Sequence, residues 1–387
     1  MTHGRGHRNR LIRLFLKFRA ALIMANSPKS VVVVGGGIVG LCIAVAAEAR
    51  GHEVIMVAKD ATIDTASGVA AGMIAPALEA LGEPEPDVAF RRLKTAQMAW
   101  NTLDYAWPPA VRTALAQARA DAHSHYVWPQ SDNSSDITTP RLHSMGIEFH
   151  ALTDGELAAV ASDCDGVRVT GDWLVSGAAI LAALEADFAA GNRLVRSEVR
   201  QVSARSVTLR DGGFIEAHAV VVAAGFGAFG LANDVPSLGI LQPVKGHLLD
   251  LGGQGIAGVT RSPLGYLAGY GDTAKFGATM QFGQDDLAIE PDVVAGLKAR
   301  AFQMLPDLDT RDAVPRTGVR ASTPDAWPLI GRDSASGVLV AAGMRRNGYI
   351  FAPYAAQIVL ALLGEGDLPE DAGLYDPNRF LQGLMRN

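Results

Sequence analysis

The chain alternates between short apolar runs and glycine-rich breaks, and its first clear element is "VVVVGGGIVG", residues 31–40. Four successive valines read as a strand covered on both faces, as in a parallel sheet. Glycines end the run, apolar residues then continue from about Ile38 to Arg50, and Gly51 marks the stop of a predicted helix. A second strand is predicted at "EVIMV" (53–57). Residues 31–47 are uncharged and nearly long enough to span a membrane, but the glycine triplet in their midst argues for strand, turn and buried helix. Further on, "VVVAAGFGA" (220–228) predicts a buried strand ending at Gly225, and "KFGATMQFG" (275–283) alternates like a half-buried strand. Val338–Ala342 predicts another strand, which runs through Gly343 into a helix opening near Asn347. Pro353 falls early enough in that helix to be tolerated. The polar stretch "PQSDNSSDITTP" (129–140) reads as a loop, and His123 and His125 read as loop residues and not as metal ligands. There is no internal repeat and no low-complexity linker.

Composition narrows the class. With 387 residues, 49% of them apolar and 19% charged, a soluble protein of two to three domains with a substantial core is expected. The two cysteines, Cys42 and Cys164, have neither metal-ligand nor disulfide-framework spacing, which points to a reducing compartment and a cytoplasmic location. Cys42 is expected to pack against the sheet. The net charge of −6 hides an asymmetry: residues 1–24 carry six Lys/Arg and no acid, so the remainder is −12. "RNRLIRLFLKFRAALIM" mixes basic and apolar residues like a membrane-surface helix or targeting segment. The plainer reading makes residues 1–23 dispensable, with Met24 a natural start before the first strand. Weak membrane-surface contact through this extension is the competing expectation. Nothing else is strongly basic, so nucleic acid is not an expected partner.

The first motif carries the first chemistry. Gly35, Gly37 and Gly40 form G-x-G-x-x-G between a predicted strand and helix, the setting that a dinucleotide fingerprint requires. Gly35 permits the turn, Gly37 lets backbone approach a pyrophosphate, and Gly40 allows close packing of helix on strand. The helix start at Ile38 and Val39 then faces the phosphates. One departure stands out. The second strand should end on an acid for the ribose hydroxyls, but Ala58 occupies that place, followed by Lys59 and Asp60. Asp60 by another backbone path, Lys59 on the phosphates, or simply a weaker grip are the open readings.

A wider resemblance follows from several segments taken together. "ASGVAAGMIAPALEA" (66–80), "VVVAAGFGA", "LQPVKGHLLDL" (241–251), "GYLAGYGDTAKFGATM" (265–280), "TGVRASTPDAWPLIGR" (317–332) and "AAGMRRNGYIFAP" (341–353) occur in an order similar to the glycine oxidases of the D-amino-acid oxidase superfamily. The resemblance covers most of residues 30–364, with 105–165 poorly matched. It implies an α/β chain with a Rossmann-like FAD-binding domain from discontinuous segments (28–92, 168–232 and 318–387). A substrate domain with a mixed, mostly antiparallel sheet would take 93–167 and 233–317, after a basic extension at 1–27.

FAD would be noncovalent, because Gly318 stands where related sarcosine oxidases carry their tethering cysteine. By the same resemblance FAD would be held by Gly35, Gly37, Ile38, Val39, Gly40, Ala58, Lys59 and the 66–73 segment (Ala66, Ser67, Ala71, Gly72, Met73). Val199, Gly225 and the turn Gly343, Met344, Arg345, Arg346, Asn347, Gly348, Tyr349 and Ile350 would complete the cradle. Arg320 and Arg346 fall on the family's two carboxylate-binding arginines. Tyr266 and Met280 match its pocket tyrosine and methionine. Arg345 falls on a backbone-contact position, and the plain reading of its side chain is a solvated charge.

The implied reaction oxidises a small amino acid or amine, such as glycine, sarcosine or a small D-amino acid. Hydride passes to flavin N5, oxygen is reduced to hydrogen peroxide, and the imine hydrolyses to keto acid and ammonia. The flavin carries the redox step, so no catalytic acid or base is needed, and none is evident. A homo-oligomer is a further expectation. A D-amino-acid dehydrogenase feeding a quinone, and a flavin-binding subunit without turnover, are the alternative readings.

Overall fold

Valines with no polar partner on either side need two covered faces, and the first strand, Ser30–Val34, has them: Val31, Val32 and Val33 are fully buried. In the computed structural model, which describes residues 29–130, 134–160 and 164–380, this strand lies inside a six-stranded sheet. The order across that sheet is Leu329–Arg332, Leu339–Ala342, Ala219–Val222, Ser30–Val34, Glu53–Val57 and Leu194–Val195. All neighbours run parallel except the first pair. Helix Ile38–Ala49 follows the first strand as expected, with Cys42 wholly buried in the core beneath it.

The C-terminal helix Gly348–Leu363 packs against Ile38–Ala49 and contains Pro353. Proline lacks the N–H that would bond the Tyr349 carbonyl four residues earlier. The indole of Trp100 donates to that carbonyl instead, at 2.9 Å, so the helix continues with its acceptor satisfied.

A second sheet is mixed and mostly antiparallel. Its long strand Gln242–Ser262 pairs antiparallel with Gly265–Gly277, Gln281–Phe282 and Val314–Ser322, and parallel with His123–Pro129. Cys164–Thr170 and Phe149–Ala151 extend it. The mixed α/β fold with one parallel and one largely antiparallel sheet is therefore as expected.

Several local expectations change. His123 and His125 lie on a strand, with rings 5.4 Å apart, and not in a loop. Burial, reinforced by His123 and Arg168, pushes the His125 imidazole down to about 4. Within the polar stretch, Ser135–Ser144 is a helix that includes Pro140. The alternation of "KFGATMQFG" overran a break, since one strand stops at Gly277 and the next begins only at Gln281. The strand expected to end at Gly225 stops at Val222, and Gly225 adopts φ +57° at the start of a 3-10 turn. The basic extension falls outside the described residues. Among the described residues no helix is long and apolar enough to cross a membrane.

Candidate active site

The carboxyl ends of the parallel strands carry the glycine turn. Gly35 sits at φ +123°, where a Cβ would overlap the Ala223 carbonyl, and a Cβ on Gly40 would overlap Gly35 itself. A Cβ on Gly37 would come within 3.0 Å of the Ser67 hydroxyl, which accepts the Ile38 N–H at 3.1 Å. Gly37 has no side chain to cap this helix, so beyond the Ile38 bond to Ser67 its first amides, at Val39 and Gly40, are left for a ligand in a cradle of glycines. That is the surface a dinucleotide pyrophosphate fits. Ala58 is buried and lies close to Gly36, whose added Cβ would come within 2.9 Å of the Ala58 Cβ. Lys59 and Asp60 are exposed. A charged group that sequence reasoning missed lies beside this turn: Arg196 reaches the Asp60 carbonyl and pairs with Glu185. Val199 is half-buried at the start of Val199–Ser203 and packs against the core that contains Val34 and Val57.

Residues 66–73 form a second wall of the cradle, fixed from four directions. The Tyr349 hydroxyl donates to the Ser67 carbonyl at 2.9 Å, and Tyr270 donates to Ala71. Lys275 reaches Val69 at 3.2 Å, and the Val175 amide donates to Gly72 at 3.1 Å. Met73 pairs with Leu174 in a two-residue strand. Gly72 needs its glycine, because at φ +75° a Cβ would overlap the Val175 carbonyl. On the opposite side, Gly343 turns at φ +74° and Met344 is buried. Asn347 then opens the helix with its buried Oδ1 unpartnered among the described residues, and with no side-chain cap on Gly348, Tyr349 or Ile350. An uncapped helix start with a buried orphan acceptor suits a polar ring edge that has both donors and acceptors, as the flavin pyrimidine does. The residues present thus fit FAD.

Between these walls lies a cavity of about 250 Å³ that brings together Arg320, Arg346, Tyr266 and Met280 with Ala66, Ala71, Gly72, Met73 and Tyr349. A larger cavity of about 380 Å³ sits at the amino ends of the strands, around His52, Glu53 and Arg193, on the side of an α/β sheet that does not bind ligands.

Arg320 extends from Val314–Ser322 across Gly246, donates one bond to the Thr279 carbonyl at 3.2 Å, and has no carboxylate partner among the described residues. Burial pushes its pKa down, with the Tyr266 phenol opposing. Tyr266 is half-buried, its hydroxyl pushed up by its enclosed surroundings, and Met280 is at the exposed rim, 37% accessible. A Cβ on Gly246 would overlap the Arg320 guanidinium, the movable end of a flexible side chain. Gly246→Ala is therefore expected to leave the fold intact while shifting that guanidinium, so that substrate binding weakens about tenfold with little change in thermal midpoint. Calorimetric binding and a melting curve on one preparation check this.

Arg346 is placed differently. Its guanidinium binds Glu79 and, at 3.0 Å, Glu83. Arg345 is not a solvated charge: its side chain pairs with Glu83 at 3.0 Å, its amide donates to Ala321 at 2.7 Å, and its φ is +52°. Glu79, unanticipated from sequence, is almost fully buried and also holds Arg261. Burial alone would raise its pKa, but attraction to Arg261 and Arg346 overrides this and holds it at about 2. The signal was available, as a lone glutamate in the apolar run "MIAPALEAL".

Comparison with known proteins fits this geometry. The chain is 28% identical over 358 residues to the tRNA 5-methylaminomethyl-2-thiouridine biosynthesis bifunctional protein MnmC of Caulobacter vibrioides, covering 88% of this chain and 55% of that protein. It thus spans about half the length of that relative. It is 26% identical over 388 residues to glycine oxidase of Geobacillus kaustophilus, covering 91% of this chain and 97% of the relative. The crystal structure of that glycine oxidase superposes with a TM-score of 0.74 at 24% identity, covering 91% of this chain and 99% of the other. The model of the DAO family of FAD dependent oxidoreductases matches residues 30–362. With its glycine-lined cradle and the cavity beside it, this chain belongs to the DAO family of FAD dependent oxidoreductases, and FAD is its cofactor.

Proposed function

We propose that the protein oxidises small amino acids at the carbon bearing the amine, with oxygen as electron acceptor, giving hydrogen peroxide and an imine that hydrolyses to a keto acid and ammonia. The observation that carries this reading is Arg320, a half-buried arginine with no carboxylate partner among the described residues, in a cavity walled by the segment that cradles the cofactor. The glycine oxidase among its relatives supports the same reading. Bound FAD supplies the two-electron acceptor that this C–H oxidation needs.

The chain's own residues do the positioning. Arg320 is placed to take the substrate carboxylate in a bidentate pair, with the Tyr266 phenol beside it. Arg346, engaged by Glu79 and Glu83, acts as part of the wall and not as a free second anchor. Met73, Leu248 and Met280 line the cavity with apolar surface that limits water around the amine. Binding the amine in its unprotonated form leaves its lone pair available without a side-chain base.

The test is a screen of glycine, sarcosine, D-alanine and D-proline on FAD-loaded protein, following oxygen consumption and reduction of an artificial dye in parallel. Oxygen uptake with stoichiometric peroxide is expected. Dye reduction without oxygen uptake would rule out the oxidase reading in favour of a dehydrogenase.

A further inference from the structure

The cavity holds more positive charge than one substrate carboxylate answers. Arg261, Arg300, Arg320 and Arg346 line it, against a single carboxylate, Glu79. Glu79 engages Arg261 and Arg346, and Glu83 takes a further bond from Arg346 at 3.0 Å. Two guanidiniums, Arg320 and Arg300, are left with no carboxylate partner among the described residues. Arg300 is half-buried on the helix Pro291–Met304, which packs over Gln242–Ser262 and Gly265–Gly277. The same lining includes the apolar residues Pro263, Leu264 and Leu248, so its polar character rests largely on the arginines.

We propose that the preferred substrate carries a second carboxylate, which Arg300 receives while Arg320 holds the amino-acid carboxylate. This rests on the reading of Arg320 given above and deepens it: monocarboxylates are accepted, and amino dicarboxylates are preferred. A monocarboxylate leaves one cationic fork in a partly dewatered cavity without a counter-charge, whereas a dicarboxylate answers both. The length of the chain joining the two acids sets the fit.

The experiment uses FAD-loaded protein and two unreactive five-carbon probes, pentanoate and glutarate, titrated by calorimetry at matched ionic strength. Glutarate is expected to bind at least about tenfold more tightly than pentanoate, the difference that one added charge-assisted pair makes. In Arg300→Gln that advantage falls to about twofold or less, while the control Arg311→Gln, at an exposed arginine paired with Asp309, keeps it. Equal affinity for the two acids in the unaltered protein, or an advantage that survives Arg300→Gln, overturns the proposal. Pentanoate binding that depends on Arg320, with no gain for glutarate, removes the second subsite alone. If neither acid binds, the carboxylate role of Arg320 falls with it.

Discussion

Arg320→Ala is expected to raise the concentration of small amino acid needed for half-maximal reduction of the bound flavin by about tenfold to a hundredfold, with FAD still bound. The side chain is half-buried, makes one bond to the Thr279 carbonyl, and has no competing carboxylate among the described residues, so its pairing energy is reserved for an incoming anion. A charge-assisted pair in such a setting contributes about 1.5–3 kcal/mol. The residues of the cofactor cradle, Gly35, Gly37 and the 66–73 segment, belong to other elements, so flavin content should hold near one per chain. Stopped-flow absorbance under anaerobic conditions, with flavin content measured on the same sample, reads both quantities. Unchanged half-saturation would remove Arg320 from substrate binding.

Glu79→Gln should have the largest effect on stability. One buried carboxylate there answers two half-buried arginines, and removing its charge leaves Arg261 unpaired and only Glu83 to answer Arg346 in part. Breaking one partner out of a buried ion cluster costs about 3–5 kcal/mol.

A pH dependence accompanies that loss. Because the folded carboxyl is held at about 2, below its ordinary 4.5, it contributes stability that is fully present above the ordinary value and is lost as pH falls towards 2. The contribution is on the order of 3 kcal/mol. Chemical denaturation from pH 7 to pH 3 should therefore show the two proteins converging as pH drops. A constant gap across that range would mean that Glu79 stabilises by its shape and not by its charge.

The parts of the fold that could be read in the chain are those with local causes. Four valines, three glycines at fixed spacing and an apolar helix form a contiguous signature that marks the first strand, turn and helix, even though the strand also pairs with Ala219–Val222 and Ala223 crowds Gly35. The site depends instead on pairings between distant segments. Glu79 and Arg261 are 182 residues apart, and Trp100 satisfies a carbonyl 249 residues away that Pro353 left free. Neither pairing has a signature in either segment alone. Arg346 shows the limit of motif reading, since its place in "RRNG" suggests a free anchor while Glu79 and Glu83 have already engaged its charge. Gly277 and the Ser135–Ser144 helix failed for a simpler reason. Alternation continues through the gap between two strands, and a polar helix has no apolar stripe to betray it.

Anaerobic titration of the FAD-loaded protein with amino acids, followed at the flavin absorbance band, tests the central claim most directly. The account predicts that a small amino acid bleaches the band to completion, and that Arg320→Ala shifts the curve without lowering its end point. A band that no amino acid bleaches, or protein that stays colourless when FAD is supplied, would contradict it.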